Sequence, residues 1–304
     1  MMNRRGFIIG ALALGGCAPS VVTKPAKRIA VTMDDFNIGF GIRLNPRERN
    51  ERILEAFAKH KHKAAGFVTG RMVDSMFGDE VVKSWSNAGH LIGNHTYSHL
   101  NSSEEDSSAI KADILKNDKL LSKYPTYEKI FRFPFLAEGG SVEKIADYRA
   151  FLKTHGFQNA AVTVDSIDWF TTERLENRLR SDDHADLEPY RDYYVEAVLR
   201  LANHFEGLAA RVGYPNIPHA MLMHHNILNG LFLGDVLTAL KADGWSLIDA
   251  KEALEHSIYK LEPETPTRGR SLLSVLAQEQ GIEDTNYPEA YLGWGEKTMD
   301  ALRL

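Results

Sequence analysis

Cysteine is all but missing: Cys17 is the single one in 304 residues. That excludes a disulfide framework and thiolate metal sites, and it leaves the body of the chain without a thiol. Concentrated positive charge is missing as well. With 36 Lys and Arg against 41 Asp and Glu, the formal charge is −5, which gives a polyanion no electrostatic footing, so nucleic acid is not an expected partner. No apolar run is long enough to span a bilayer as a mature helix. Internal repeats and low-complexity stretches are likewise absent. What remains, 43% hydrophobic and 25% charged, is the composition of an ordinary globular protein with one large domain or two small ones.

The first residues read as a targeting segment, residues 1–16. Asn3-Arg4-Arg5 is a basic start, and Gly6 to Gly16 is a short apolar run, too brief for a membrane span. It ends in Leu14-Gly15-Gly16-Cys17-Ala18, which resembles the lipobox of bacterial lipoproteins. The resemblance implies cleavage before Cys17 and lipidation of that residue. The protein would then lie in the bacterial cell envelope, lipid-anchored to a membrane and facing the periplasm or the exterior. Asn3-Arg4-Arg5-Gly6-Phe7-Ile8 also resembles a twin-arginine signal, and an ordinary secretory start fits equally. Residues 17–27, with Pro25, read as the lipidated cysteine and a tether.

From there apolar runs alternate with helical spacing. Strand-like segments fall at 28–33, 64–69, 90–93, 130–133, 159–164, 220–223 and 245–248, and helical ones at 46–60, 79–88, 104–122, 142–154, 190–212 and 231–242. Gly just past a helix feeds an aromatic into the next strand in His155-Gly156-Phe157 and Asp243-Gly244-Trp245. The alternation predicts a mostly parallel α/β domain over 28–256 that closes as a barrel of about seven strands. A charged helical insertion occupies 171–217 and a C-terminal helical extension 257–304. In parallel α/β folds, sites assemble at the C-terminal strand ends. Asp34, His95, Arg132, Asp165 and His224 all sit there.

The chemistry concentrates in two places. Asp34-Asp35 closes the apolar strand that begins at Ile29, and Asn94-His95-Thr96-Tyr97-Ser98-His99 follows a later one. One carboxylate plus two imidazoles four residues apart is a ligand set that leaves positions free on a divalent metal. The second carboxylate is then spare for proton transfer. Taken singly, each feature has a plainer reading: a surface histidine pair, a structural ion-pair arginine at Arg132, a core Trp169. His225 rivals His224 as the functional histidine. The remaining histidines, among them His62 and His90, fit no ligand spacing and read as structural or surface residues.

In order along the chain, five motifs resemble those of the polysaccharide deacetylase family (the NodB homology domain, carbohydrate esterase family four). They are Thr32-Met33-Asp34-Asp35, His95-Thr96-Tyr97-Ser98-His99, Arg132-Phe133-Pro134-Phe135, Asp165-Ser166-Ile167-Asp168-Trp169 and Leu222-Met223-His224. The resemblance covers about residues 28–250 and implies a distorted (β/α) barrel with a set of roles. Asp35, His95 and His99 would bind the metal, zinc above others. Asp34 would be the general base, oriented by Arg132, and His224 the general acid, held by Asp168. The backbone N–H of Phe135 would stabilise the oxyanion, and Trp169 would stand beside the substrate, an acetylated carbohydrate.

Two departures stand out. Phe36-Asn37 follows the aspartates where the family commonly has Gly, and His225 follows His224 where Asp is common. His224-His225-Asn226 with Leu228-Asn229 is similar to a less studied subgroup, which leaves the substrate open. N-deacetylation, O-deacetylation of a polysaccharide and noncatalytic carbohydrate binding are the rival functions. In the insertion, Tyr190, Tyr193 and Tyr194 are either sugar-stacking surfaces or core.

Overall fold

The computed structural model describes residues 27–39, 41–283 and 289–304. The leader, Cys17 and the tether up to residue 26 lie outside the described residues. Among the described residues eight strands form one sheet: β1 (Lys27–Asp35), β2 (Ala65–Val68), β3 (Leu91–Asn94), β4 (Tyr127–Phe131), β5 (Gln158–Asn159), β6 (Val164–Asp165), β7 (Pro218–His224) and β8 (Trp245–Leu247). Their order is β5-β4-β3-β2-β1-β7-β6, with β8 paired to the start of β1. Every pairing is parallel. The fold is the expected distorted (β/α) barrel.

Strand β1 is its axis. Ile29 to Asp34 are all buried, as a strand flanked on both edges and covered on both faces must be. The run 159–164, expected as one strand, is two strands of two residues each. The sheet does not close between them by strand pairing. The stretch 160–163 spans the gap instead, with Ala160 N–H donating to Phe131 O on one side (2.7 Å) and Thr163 N–H to Ala220 O on the other (3.1 Å). Apolarity in the sequence reports burial, and this bridging segment is as buried as a strand.

The helices are α1 (Pro46–His60), α2 (Gly70–Val73), α3 (Met76–Asn87), α4 (Ser107–Leu121), α5 (Val142–Thr154), α6 (Asp168–Ser181), α7 (Glu188–Arg211), α8 (Ile227–Ala242), α9 (Ala250–Leu254), α10 (Leu272–Glu279) and α11 (Glu289–Leu302). Their limits follow local chemistry. Asn45 accepts from Glu48 N–H ahead of Pro46 to start α1, and Lys61 in the left-handed region ends it. Among the described residues no helix is long and apolar enough to cross a membrane.

Between β6 and β7 run α6 and the 24-residue α7. Tyr190, Tyr193 and Tyr194 are buried along α7, so of the two readings it is core that holds, and no sugar can stack on them. The C-terminal extension is anchored at several places, among them two that bear on these elements. Leu272 N–H donates to Val162 O in the bridging segment (2.7 Å). Helix α11 lies on α7, with Trp294 stacked on Tyr193 at 5.5 Å.

Candidate active site

The site is built where β1, β3, β4, β6 and β7 end. The register pairs Asp34 with His224 on adjacent strands. In a regular strand Asp34 and Asp35 would point to opposite faces. Here the chain leaves strand geometry at Asp35, with φ 76°, and stays left-handed at Phe36, φ 62°. Both carboxylates therefore reach the same imidazole: His95 Nε2 is 3.7 Å from Asp34 Oδ2 and 3.5 Å from Asp35 Oδ1.

That strained pair is held from below. Phe36 is fully buried, stacked on His225 at 5.1 Å and edge-on to Trp85 at 4.7 Å. Its ring fills the space beside Gly66, where a Cβ would lie 2.5 Å from Phe36 Cζ. The residue in the glycine position of the first motif is thus a wedge, and β2 makes room for it.

The β3 loop is set by polar side chains. Asn94 Oδ1 accepts from Thr96 N–H (2.9 Å), Thr96 Oγ1 accepts from His99 N–H (3.0 Å), and the Asp113 carboxylate takes both the N–H and the hydroxyl of Ser98. Left-handed residues at Thr96 and His99 complete the turn. It brings His99 Nε2 to 3.0 Å from Asp35 Oδ1.

His95 Nδ1 lies 2.9 Å from Arg132 O. A carbonyl only accepts, so Nδ1 carries the proton, and in the neutral ring the Nε2 lone pair faces the carboxylates. Asp35 Oδ1 is buried yet makes no hydrogen bond among the described residues. Burial opposes its charge, and positive charge where His95 and His99 meet it, from a proton on Nε2 or from a cation in its place, holds the Asp35 carboxyl well below the usual carboxylate range. One ligand atom from each of Asp35, His95 and His99 lies within 4.8 Å of the others. A bare lone pair and an orphaned carboxylate oxygen converging on one point fit a divalent cation.

Arg132 is 1% exposed, with its guanidinium over the Phe67 ring at 3.9 Å. Its Nε donates to Ala160 O (3.0 Å), and one terminal nitrogen donates to both Asp34 Oδ1 and Thr32 Oγ1, each at 2.7 Å. Opposite stands His224, whose Nδ1 is 2.7 Å from Asp168 Oδ1. Burial disfavours the imidazolium, yet contact with Asp168 outweighs it and raises His224 to about 10. His225 points the other way, its Nε2 3.2 Å from Asn50 Oδ1. Asp165 braces the turn before α6, its Oδ1 accepting from Ile167 N–H (2.9 Å).

Phe135 sits in a left-handed turn, φ 58°, with its ring 56% exposed and edge-on to His99 at 4.6 Å. Trp169, in the first turn of α6, is 45% exposed. Its ring meets Phe170 at 6.2 Å. Three residues that the sequence reading left without a role touch the site's partners. Thr32 shares Arg132 with Asp34, and Asn226 and Asn229 both donate to Asp168.

These features define a class: a parallel (β/α) barrel with a candidate cation site of two histidines and one carboxylate at its strand ends, flanked by a buried Asp–Arg pair and a His–Asp pair. Residues 21–158, a little under half of the chain, match the family model for polysaccharide deacetylase. Among curated proteins the chain is similar to a peptidoglycan-N-acetylglucosamine deacetylase of Bacillus cereus, 28% identical over 142 residues, which are 46% of each chain. It is also similar to a chitin deacetylase of Arthroderma benhamiae, 31% identical over 125 residues, 38% of this chain and 30% of that one. The match thus spans less than half of either relative. Among solved structures, a family-four pseudoenzyme from Bacillus anthracis superposes with a TM-score of 0.54 at 22% identity, over 76% of this chain and 67% of that one. That likeness is one of fold.

Proposed function

We propose that the protein is a metal-dependent deacetylase that hydrolyses N-acetyl groups of a carbohydrate. The observation that carries this reading is a base and an acid, each with its own orienting partner at 2.7 Å, on either side of a single cation site. Asp35, His95 and His99 would hold the ion, and zinc suits one carboxylate and two imidazoles. Such an ion polarises the acetyl carbonyl and makes water easier to deprotonate. Asp34 takes the proton from the attacking water, its lone pairs oriented by Arg132. His224, protonated and tied at Nδ1 to Asp168, delivers its Nε2 proton to the leaving nitrogen, so that an amine and acetate depart. Phe135 N–H serves the oxyanion and Trp169 borders the sugar. The two curated relatives act, by name, on peptidoglycan N-acetylglucosamine and on chitin, which supports the N-acetyl choice over an O-acetyl ester.

The test is acetate release by the zinc-loaded chain from peptidoglycan, chitin oligomers and acetylated xylan. Release from the first two, reduced about 10²–10⁴-fold in Asp34→Asn with zinc content retained, is the expected result. Undiminished turnover in that variant sinks the mechanism; release from xylan alone makes the protein an ester hydrolase; none from any, with zinc bound, leaves a carbohydrate-binding protein. We also propose, from the leader alone, a lipid-anchored protein of the bacterial envelope. Cys17→Ala should then move it from the membrane fraction to the soluble one.

A further inference from the structure

Asp168 is 0% exposed and accepts four hydrogen bonds. Its Oδ1 takes His224 Nδ1–H (2.7 Å); its Oδ2 takes the backbone N–H of His224 (2.8 Å), Asn226 Nδ2 (2.9 Å) and Asn229 Nδ2 (2.8 Å). A buried carboxylate stays ionised only when so satisfied. Asn226 and Asn229 therefore serve the carboxylate behind His224.

Asn229 is itself constrained. Both protons of its Nδ2 are engaged, one by Asp168 Oδ2 and one by His224 O (2.9 Å). Its Oδ1 must then find a donor, and Tyr194 OH supplies it at 2.8 Å. Turning the amide over would set Oδ1 against a carboxylate and a carbonyl, with no proton between them, and leave the tyrosine hydroxyl facing an NH₂ group. Burial, with the nearby Asp168 charge, raises the Tyr194 hydroxyl well above its ordinary value and so keeps it a donor. Asn226 does double service: its Oδ1 accepts Asn229 N–H at the start of α8 while its Nδ2 serves Asp168.

We propose that Tyr194 and Asn229 are positioning residues for His224, acting through Asp168, and that the α6–α7 insertion exists in part to seat the acid. Helix α6 contributes Asp168 as its first residue, and α7 contributes Tyr194 from its buried face. Together they fix Nδ1–H of His224 inward and leave Nε2 for the substrate. This rests on the reading of His224 as the acid, so the test has an arm that needs no turnover.

That arm is NMR of the zinc-loaded full chain with isotope-labelled histidine. The wild type should show a protected, downfield Nδ1–H signal from His224. Tyr194→Phe deletes one hydroxyl and no packing; Asn229→Ala removes the donor. Each should broaden or erase that signal while zinc content stays constant, which a role confined to packing would not do. The kinetic arm is a double-mutant cycle. Each single variant should lower kcat about 10- to 100-fold with KM little changed, the usual effect of removing a partner behind a functional imidazole. The double variant should be no worse than Asn229→Ala alone, because Tyr194 has no other route to the site. An unchanged His224 signal in Tyr194→Phe overturns the proposal, and so does a double variant whose loss is the product of the singles. If Asn229→Ala fails to fold, Tyr194→Phe decides by the signal alone. If no acetylated sugar is turned over, the kinetic arm fails with the proposed function, and the signal still judges the network.

Discussion

On the acid side of the site every oxygen of Asp168 is engaged, whereas across from it Asp35 Oδ1 and one terminal nitrogen of Arg132 are buried without a hydrogen bond. The two carboxylates differ in enclosure too, with the Asp168 side chain 1% exposed and that of Asp35 23%. The difference teaches what each half is for. A saturated carboxylate is finished on folding and holds one geometry; an orphaned buried oxygen is costly unless a cation completes it. On the proposed function, one half is preorganised by protein and the other by the ion it would bind.

The largest break in that contrast comes from His95→Ala. It should abolish zinc binding and lower turnover by about 10³-fold or more, since loss of the ion forfeits several kcal/mol of transition-state stabilisation. The His224 Nδ1–H signal should persist. Metal analysis beside acetate release checks it, and a variant that keeps its zinc would show that the ligand set is elsewhere. Arg132→Met comes next. It strands Asp34 in the barrel and should cost about 3–5 kcal/mol of stability, read from the urea midpoint. A cost below about 1 kcal/mol would mean that the pair is solvated like a surface ion pair.

The smallest effect lies outside both halves. His62 Nε2 accepts Val31 N–H (3.1 Å) and His90 Nδ1 accepts Ala64 N–H (3.0 Å). Both rings therefore sit neutral. Burial lowers His62 from 6.5 to about 4 and His90 to about 3. The unfolded chain binds these protons near pH 6.5 and the folded chain only well below. Their contribution is therefore whole above pH 6.5 and lost progressively as pH falls toward 4. Urea midpoints at pH 7 and pH 5 should differ, with less of a drop in His62→Gln, whose amide does not titrate.

Much of this was legible in the chain. Strands of a parallel barrel are buried on both faces, so they stand out as apolar runs, and the functional residues stand at their ends by the logic of the fold. What was hidden had physical reasons. Residues 160–163 are mostly apolar and mostly buried but cross a gap, and hydropathy does not distinguish burial from pairing. Helix α6 begins at Asp168 behind a left-handed Ile167, a start with no glycine or capping side chain to announce it. Asn226 and Asn229 were visible as an unusual pattern. Only the fold brings them to one carboxylate oxygen, behind the imidazole of His224.

The wedge beneath Asp35 reaches further than its own neighbourhood. Phe36 and His225, just past the ends of β1 and β7, and Gly66 within β2 occupy one interlocked volume. A side chain at 66 collides with the ring at 36, and a smaller residue at 36 leaves the imidazole at 225 facing a void. Single steps away from this trio are blocked while concerted ones are open, so the three positions should drift through descendants of this chain as one unit, covarying without any of them touching a substrate.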